Sequence, residues 1–116
     1  MNINDIKIRS QRPEIKSDLK TIGSLNDCNS IIKGVDRYFE DQNKAYNELK
    51  ALYSNSEQDI ITISGIYSMA TIVEKDLEWA NNNLTSLLDR KRELIEENRS
   101  EIEDYEFKAF VNPTEK

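Results

Sequence analysis

The sequence predicts an all-α fold, a long antiparallel two-helix hairpin that resembles a coiled coil. The 116 residues include only three glycines and two prolines, and the prolines, Pro13 and Pro113, lie near the ends. The residues between them therefore contain few helix breakers. Apolar residues also recur at alternating steps of three and four, which is the pattern of a coiled-coil seam. Together these two features favour two long helices over any sheet.

The first helix is predicted over residues 13–54. Pro13 suits the first helical position, where a backbone N–H is not needed. The predicted seam of this helix consists of Ile32, Val35, Phe39, Gln42, Tyr46, Leu49 and Tyr53. Gln42 is its one strongly polar member, and it interrupts an otherwise apolar or aromatic stripe. Upstream, the apolar stripe continues back to the first helical turn through Ile15, Leu19, Ile22, Leu25 and Cys28.

The second helix is predicted over residues 57–110. Ser56 followed by Asp59 resembles a capping box, which marks a helix N-terminus. The predicted seam of this helix consists of Ile63, Ile66, Ala70, Val73, Leu77, Ala80, Leu84 and Leu87. Leu88 and Ile95 are expected to continue it in a shifted register, and the shift between Leu84 and Leu88 is that of a four-residue stutter.

The short connection between the helices makes them antiparallel neighbours. Residues 60–66 are rich in β-branched side chains and allow a strand, but the helical period continues through them, so a helix is preferred. We expect residues 1–12 to form a flexible N-terminal tail, 13–110 the hairpin and 111–116 a disordered tail. The apolar residues of 100–110 require a cover, either the N-terminal tail or another chain.

Composition argues against an enzyme. The chain has no histidine and one cysteine, Cys28, so the usual ligands of zinc, haem and iron–sulfur sites and the commonest acid–base residue are missing. No metal or other cofactor is expected. The net charge of −6 argues against a nucleic-acid partner. No apolar run approaches the roughly 20 residues of a membrane span, and the polar start predicts no signal peptide, so a cytoplasmic protein is expected.

A wide apolar stripe points to a protein partner. Beside the seam of the first helix, apolar residues repeat every seven positions, and the second helix carries others off its seam. Two helices alone are not expected to cover so wide a stripe, so a lone monomer is not expected. The predicted partner-binding residues are Ile31, Tyr38, Ala45, Leu52, Met69, Ile72 and Trp79.

The stretches 38–53 and 84–107 give the chain a resemblance to the small α-helical partner proteins of type VII secretion. These include WXG100-like hairpins and the targeting factors that bind the helical LXG domain of toxins, and the chain is most similar to the targeting factors. The turn lacks W-x-G, because Trp79 lies within the second helix. The resemblance implies a bacterial protein that binds a toxin, with co-export by a type VII system as one consequence.

Two functions remain open on the sequence. The first is a non-enzymatic helical adaptor, or targeting chaperone, that packs against a helical partner such as the N-terminal domain of a type VII-secreted LXG toxin. The second is a homodimeric four-helix bundle that acts as a structural or phage-type inhibitor protein.

Overall fold

The computed structural model describes residues 3–55 and 59–99. Two long helices pack against each other along their length: α1 spans Leu25–Ser54 and α2 spans Ile60–Glu97. The described residues contain no strand. The predicted all-α hairpin is therefore confirmed, including the helical conformation of residues 60–66.

The start of α1 differs from the prediction, because α1 begins at Leu25 and not at Pro13. The Ser24 hydroxyl accepts a hydrogen bond from the Asp27 amide at 3.1 Å and caps the helix. Upstream, Asp18 caps a separate 3-10 turn over Leu19–Thr21. Side chains such as Ser and Asp compete with helix formation by bonding to the nearby backbone in this way. These local caps divide the segment that the apolar spacing alone assigned to one helix.

The N-terminus of α2 is capped by Asp59. The Asp59 carboxylate accepts a hydrogen bond from the Thr62 amide at 2.7 Å, and Ser56, the predicted cap, lies outside the described residues. Hydrogen bonds from Thr62, and to a smaller extent from the Ile61 backbone, favour the ionised carboxylate and lower the pKa of Asp59. At the other end, α2 ends at Glu97, and the predicted continuation over 100–110 and the tail 111–116 lie outside the described residues.

The core of α2 keeps one register from end to end. Its buried apolar residues repeat every seven positions and are Ile66, Val73, Ala80, Leu87 and Leu94. The predicted stutter is wrong, because Leu94 is 1% exposed while Leu88 and Ile95 are 46% and 42% exposed. An uninterrupted seven-residue repeat keeps the same face of a supercoiled helix toward its partner. Each solvent-facing position of the seven-residue repeat therefore also stays on the same side of α2 along its length.

The hairpin core consists of two apolar clusters. One lies toward the turn and includes Ala45, Leu49, Leu52, Ile66 and Val73. The other lies toward the open end and includes Cys28, Val35, Tyr38, Ala80, Leu87 and Leu94. Gln42 is also fully buried, and its position in α1 falls between the two clusters. A polar layer thus divides the core, and its hydrogen-bond partners come both from α2 and from the segment that precedes α1.

The register of α2 is testable by comparing two adjacent leucines. We expect Leu87→Ala to lower the free energy of unfolding by about 2–5 kcal/mol, because it leaves a cavity in a closed core. Leu88→Ala should cost less than about 0.5 kcal/mol, because nearly half of that residue is in solvent and its truncation leaves no enclosed cavity. Urea denaturation followed by circular dichroism measures both changes. Equal costs would contradict the single register and favour the stutter.

Candidate functional site

The N-terminal segment covers one of the two grooves between the helices. We call residues 3–24 the strap. Near its start Ile6 is buried in the cluster at the turn, and near its end Ile22 is buried in the cluster at the open end. The strap therefore runs the length of the hairpin, parallel to α2 and antiparallel to α1. Residues 3–12, expected to be a flexible tail, are the first half of this segment.

Gln42 holds the middle of the strap. Its side-chain Oε1 accepts a hydrogen bond from the Arg9 backbone N–H at 2.8 Å, and its Nε2 donates to the Arg9 carbonyl at 3.4 Å. The amide thus pairs with both backbone groups of one strap residue, as a neighbouring strand would. Nε2 also donates to Oδ2 of Asp76 on α2 at 3.1 Å. One buried amide connects the strap to both helices.

Arg12 extends this polar layer across the groove. Its guanidinium donates to Oδ1 of Asp76 through Nε at 3.0 Å, and Nη2 lies 3.0 Å from the same oxygen. The Asp76 side chain is only 13% exposed, so its charge is largely removed from water and needs this partner. With Gln42 and Arg12 as donors, both carboxylate oxygens are occupied.

Two aromatic rings lie under the arginines of the strap. The guanidinium of Arg9 lies 5.2 Å from the centre of the Tyr38 ring, and that of Arg12 lies 5.1 Å from the centre of the Trp79 ring. The two rings meet edge to face with centres 5.8 Å apart. Both contacts are within the range of cation–π attraction. Burial, and then the Asp76 charge, raise the pKa of Tyr38, so its hydroxyl stays neutral under ordinary conditions.

Arg90 holds the other end of the strap. Its Nε and Nη2 donate to the Ile22 carbonyl at 3.1 and 2.9 Å, and Nη2 also reaches the Lys20 carbonyl at 3.4 Å. Nη1 is paired with Glu93 and Glu97 on α2. These carboxylates raise the pKa of Arg90. In a continuous helix the same two carbonyls would bond to amides one turn ahead, so this contact depends on the break before Leu25.

The strap changes the interpretation of the predicted partner-binding residues. Tyr38, Ala45 and Leu52 are buried in clusters that also contain Ile6 and Ile22 of the strap, so this part of the α1 stripe is covered without a second chain. Ile31, Met69 and Trp79 are partly buried in the two clusters, and Ile72 is exposed. A role in partner binding remains a prediction for all seven residues. While the strap is in place, Ile31 and the three α2 members are the ones that reach the surface.

The residues that position the strap were not recognised in the sequence. Gln42 was seen only as an interruption of the seam, and Arg9, Arg12, Asp76 and Arg90 look like ordinary surface charges. One signal was available: a polar residue inside a seam needs a partner when it is buried. The sequence does not show that the partner is the backbone of the N-terminal segment.

Seven large apolar side chains among the described residues remain exposed, and they occupy two flanks of α2 and the end of α1. Successive helical residues lie about 100° apart, so residues just before and just after a core position lie on opposite flanks. Ile72 and Trp79 precede core residues, and Trp79 contacts the strap, so this is the strap-side flank. The full set is Tyr53, Ile60, Ile61, Tyr67, Ile72, Leu88 and Ile95.

The described residues offer little reactive chemistry. Residues 3–55 and 59–99 contain no cluster of three or more candidate metal ligands. Burial raises the pKa of the Cys28 thiol above its ordinary value, and Sγ lies 3.6 Å from the Leu87 carbonyl. A buried thiol with a raised pKa is a poor nucleophile. Within the same residues, no helix combines the length and apolar character needed to cross a membrane.

Comparison with known proteins gives no relative: no protein-family model, curated protein or solved structure matches this chain. We therefore infer function from the fold and its exposed surfaces.

The anchoring role of Gln42 is testable with a substitution of similar size. Gln42→Met removes the amide and leaves the Arg9 backbone and Asp76 short of partners, at a cost of about 1–3 kcal/mol. We expect the strap to detach first, so that trypsin cleaves after Lys7 and Arg9 faster than in the unaltered protein while circular dichroism still shows the helices. Asn43→Met, at the exposed neighbouring position, is the control and should leave the cleavage rate unchanged. Unchanged cleavage of the Gln42→Met protein would contradict the anchoring role.

Proposed function

We propose that this protein is a non-enzymatic helical adaptor whose α2 packs against a helix of a partner protein. The observation that carries the proposal is the exposure of Ile61 and Ile72, which are 81% and 59% exposed on the strap-side half of α2. They lie eleven residues apart, about three helical turns. Met69 and Trp79 are partly exposed beside them. Isolated exposed apolar residues are common, but a row of them along one helix is typical of an interaction surface.

Gly65 lies in the same row and supports a close approach by a partner. Glycine inside a helix costs roughly 0.5–1 kcal/mol relative to alanine. A β-carbon built at Gly65 would meet no atom within 4 Å, so packing within this chain does not require the glycine. A neighbouring helix that crosses at this point would gain from the missing side chain, because ridges and grooves of packed helices approach most closely over small residues.

The strap directs the partner to α2. It covers the apolar stripe of α1, so Tyr38, Ala45 and Leu52 already have neighbours within the chain. Ile61 and Ile72 lie on the flank of α2 that faces the strap. A partner helix on this flank would bury apolar side chains that the monomer leaves in water. Full burial of each one contributes roughly 1.5–3 kcal/mol to the free energy of binding.

We propose further that the partner is the helical N-terminal domain of a type VII-secreted LXG toxin. The support is the resemblance to type VII partner proteins carried by residues 38–53 and 84–107, together with an elongated hairpin that fits side by side with another helical hairpin. In this role the chain holds the toxin domain before export, and co-export with it is part of the proposal.

Co-expression with an LXG domain encoded beside this chain tests the proposal. We expect a stable complex that copurifies through a tag on the toxin domain. Ile61→Glu combined with Ile72→Glu should weaken binding at least about 100-fold, because two apolar contacts of 1.5–3 kcal/mol each are lost. Isothermal titration calorimetry measures the change in affinity.

The control is Tyr67→Glu combined with Leu88→Glu, which introduces the same two negative charges on the opposite flank of α2 and should leave this affinity unchanged. Failure of the unaltered chain to bind, or full affinity of the Ile61/Ile72 variant, would contradict the adaptor role.

A further inference from the structure

The flank of α2 that faces away from the strap carries a second exposed row. We call it the outer row: Ile60, Tyr67, Glu74, Asn81, Leu88 and Ile95, one residue every seven positions. From Tyr67 onward each member directly follows a buried core residue, so these members keep the same direction along the supercoiled helix. All six are exposed, and four are large apolar side chains.

The order of residues in the outer row is symmetric about its centre. Apolar residues occupy both ends, and the two polar members, Glu74 and Asn81, occupy the middle. If a second copy of α2 lies antiparallel on this row, Ile60 meets Ile95 of the second copy and Tyr67 meets Leu88. Glu74 then meets Asn81, so a carboxylate faces an amide and not another carboxylate.

A parallel arrangement would be less favourable. It would place the two Glu74 carboxylates directly opposite each other in an apolar contact, where like charges are costly. The antiparallel arrangement avoids this contact, and it uses the same patch on both copies and closes on itself as a two-fold dimer. The polar pair at the centre also fixes the register, as single polar residues do in coiled coils.

A pocket beside Tyr67 suits the side chain that this arrangement brings to it. The pocket has a volume of about 280 Å³, and its apolar and aromatic lining is Tyr46, Leu49, Tyr53, Ile66, Tyr67 and Ala70. The Tyr46 hydroxyl donates to Glu74 at 2.5 Å and forms its polar edge. Leu88 and Ile95 project at the opposite end of the row. An antiparallel dimer therefore places the projecting residues of each copy at the pocket of the other.

The available area is sufficient for a specific contact. The row spans 35 residue steps of 1.5 Å, about 50 Å, and a helix contributes a width of about 10 Å. Contact along the whole row would remove on the order of 500 Å² from each copy, or about 1,000 Å² in total, which is at the lower limit for specific interfaces. An assembly of this size is expected to depend on protein concentration.

We propose that a second copy of this chain covers the outer row, in an antiparallel two-fold dimer with Tyr67 against Leu88 of the second copy. The strap-side flank of α2 remains free in this dimer. The dimer therefore neither depends on the adaptor role nor competes with a partner helix.

Sedimentation equilibrium of the full chain with a charge-exchange pair tests this arrangement. The unaltered protein should be dimeric at about 100 µM. Tyr67→Lys and Leu88→Glu should each be monomeric at the same concentration. The protein with both substitutions should recover the dimer, because each lysine would then meet a glutamate of the second copy. Within one chain these positions are about 32 Å apart along α2, so they cannot compensate each other there.

The control is Ile72→Glu on the strap-side flank, which should not change the mass. A monomeric unaltered protein would show that something else covers the row and would overturn the proposal. Dimeric single variants, or a double variant that stays monomeric, would overturn the contact. Because substitutions at these exposed positions are readily checked for helicity by circular dichroism, loss of folding is recognised separately.

A second measurement does not depend on charged variants. Tyr67→Cys combined with Leu88→Cys should give a disulfide-linked dimer on mild oxidation, whereas either cysteine alone should not. Cys28 is fully buried and does not take part. Equal cross-linking by a single-cysteine variant, or none by the double variant, would overturn the antiparallel register.

Discussion

The side-chain amide of Gln42 pairs with the backbone of Arg9 and with Asp76, and the arrangement of the other elements depends on this contact. Gln42 is fully buried between two apolar clusters, where an unpaired amide would cost roughly 1–3 kcal/mol. The strap supplies the missing partners, and the contact in turn fixes which strap residue lies at the centre of the groove. Arg12 then reaches Asp76, and Ile6 and Ile22 reach one cluster each. The polar layer therefore specifies a register that apolar packing alone would leave free to slide.

The strap also determines which surfaces are available for other proteins. It buries the widest apolar stripe of α1 and leaves α2 with two exposed rows on opposite flanks. The strap-side row with Ile61 and Ile72 is short and lies toward the turn, whereas the outer row runs the whole helix and is symmetric about its centre. These different lengths and patterns are the reason for proposing a partner helix on one flank and a second copy on the other.

The sequence predicted the parts of the fold that depend on local repetition. The two helices, their antiparallel packing and the helical state of residues 60–66 follow from the apolar period. The break before Leu25 did not, because Ile15, Leu19 and Ile22 continue the helical spacing and only the caps at Asp18 and Ser24 indicate otherwise. The stutter was wrong because Leu87 and Leu88 are both apolar, and only packing decides which one faces the core. Coverage of Tyr38 depends on a contact between residues 33 positions apart, which no local pattern records.

Backbone hydrogen exchange measured by nuclear magnetic resonance shows whether the Gln42 amide holds the strap at Arg9. Arg9 lies in a segment without regular structure, and its exposed neighbours Ser10 and Gln11 lie in the same segment. We expect an isolated slow amide at Arg9, because its N–H donates to the Gln42 side chain at 2.8 Å, and rapid exchange at Ser10 and Gln11. Exchange at Arg9 as fast as at Ser10 and Gln11 would mean that the Gln42 amide does not anchor the strap.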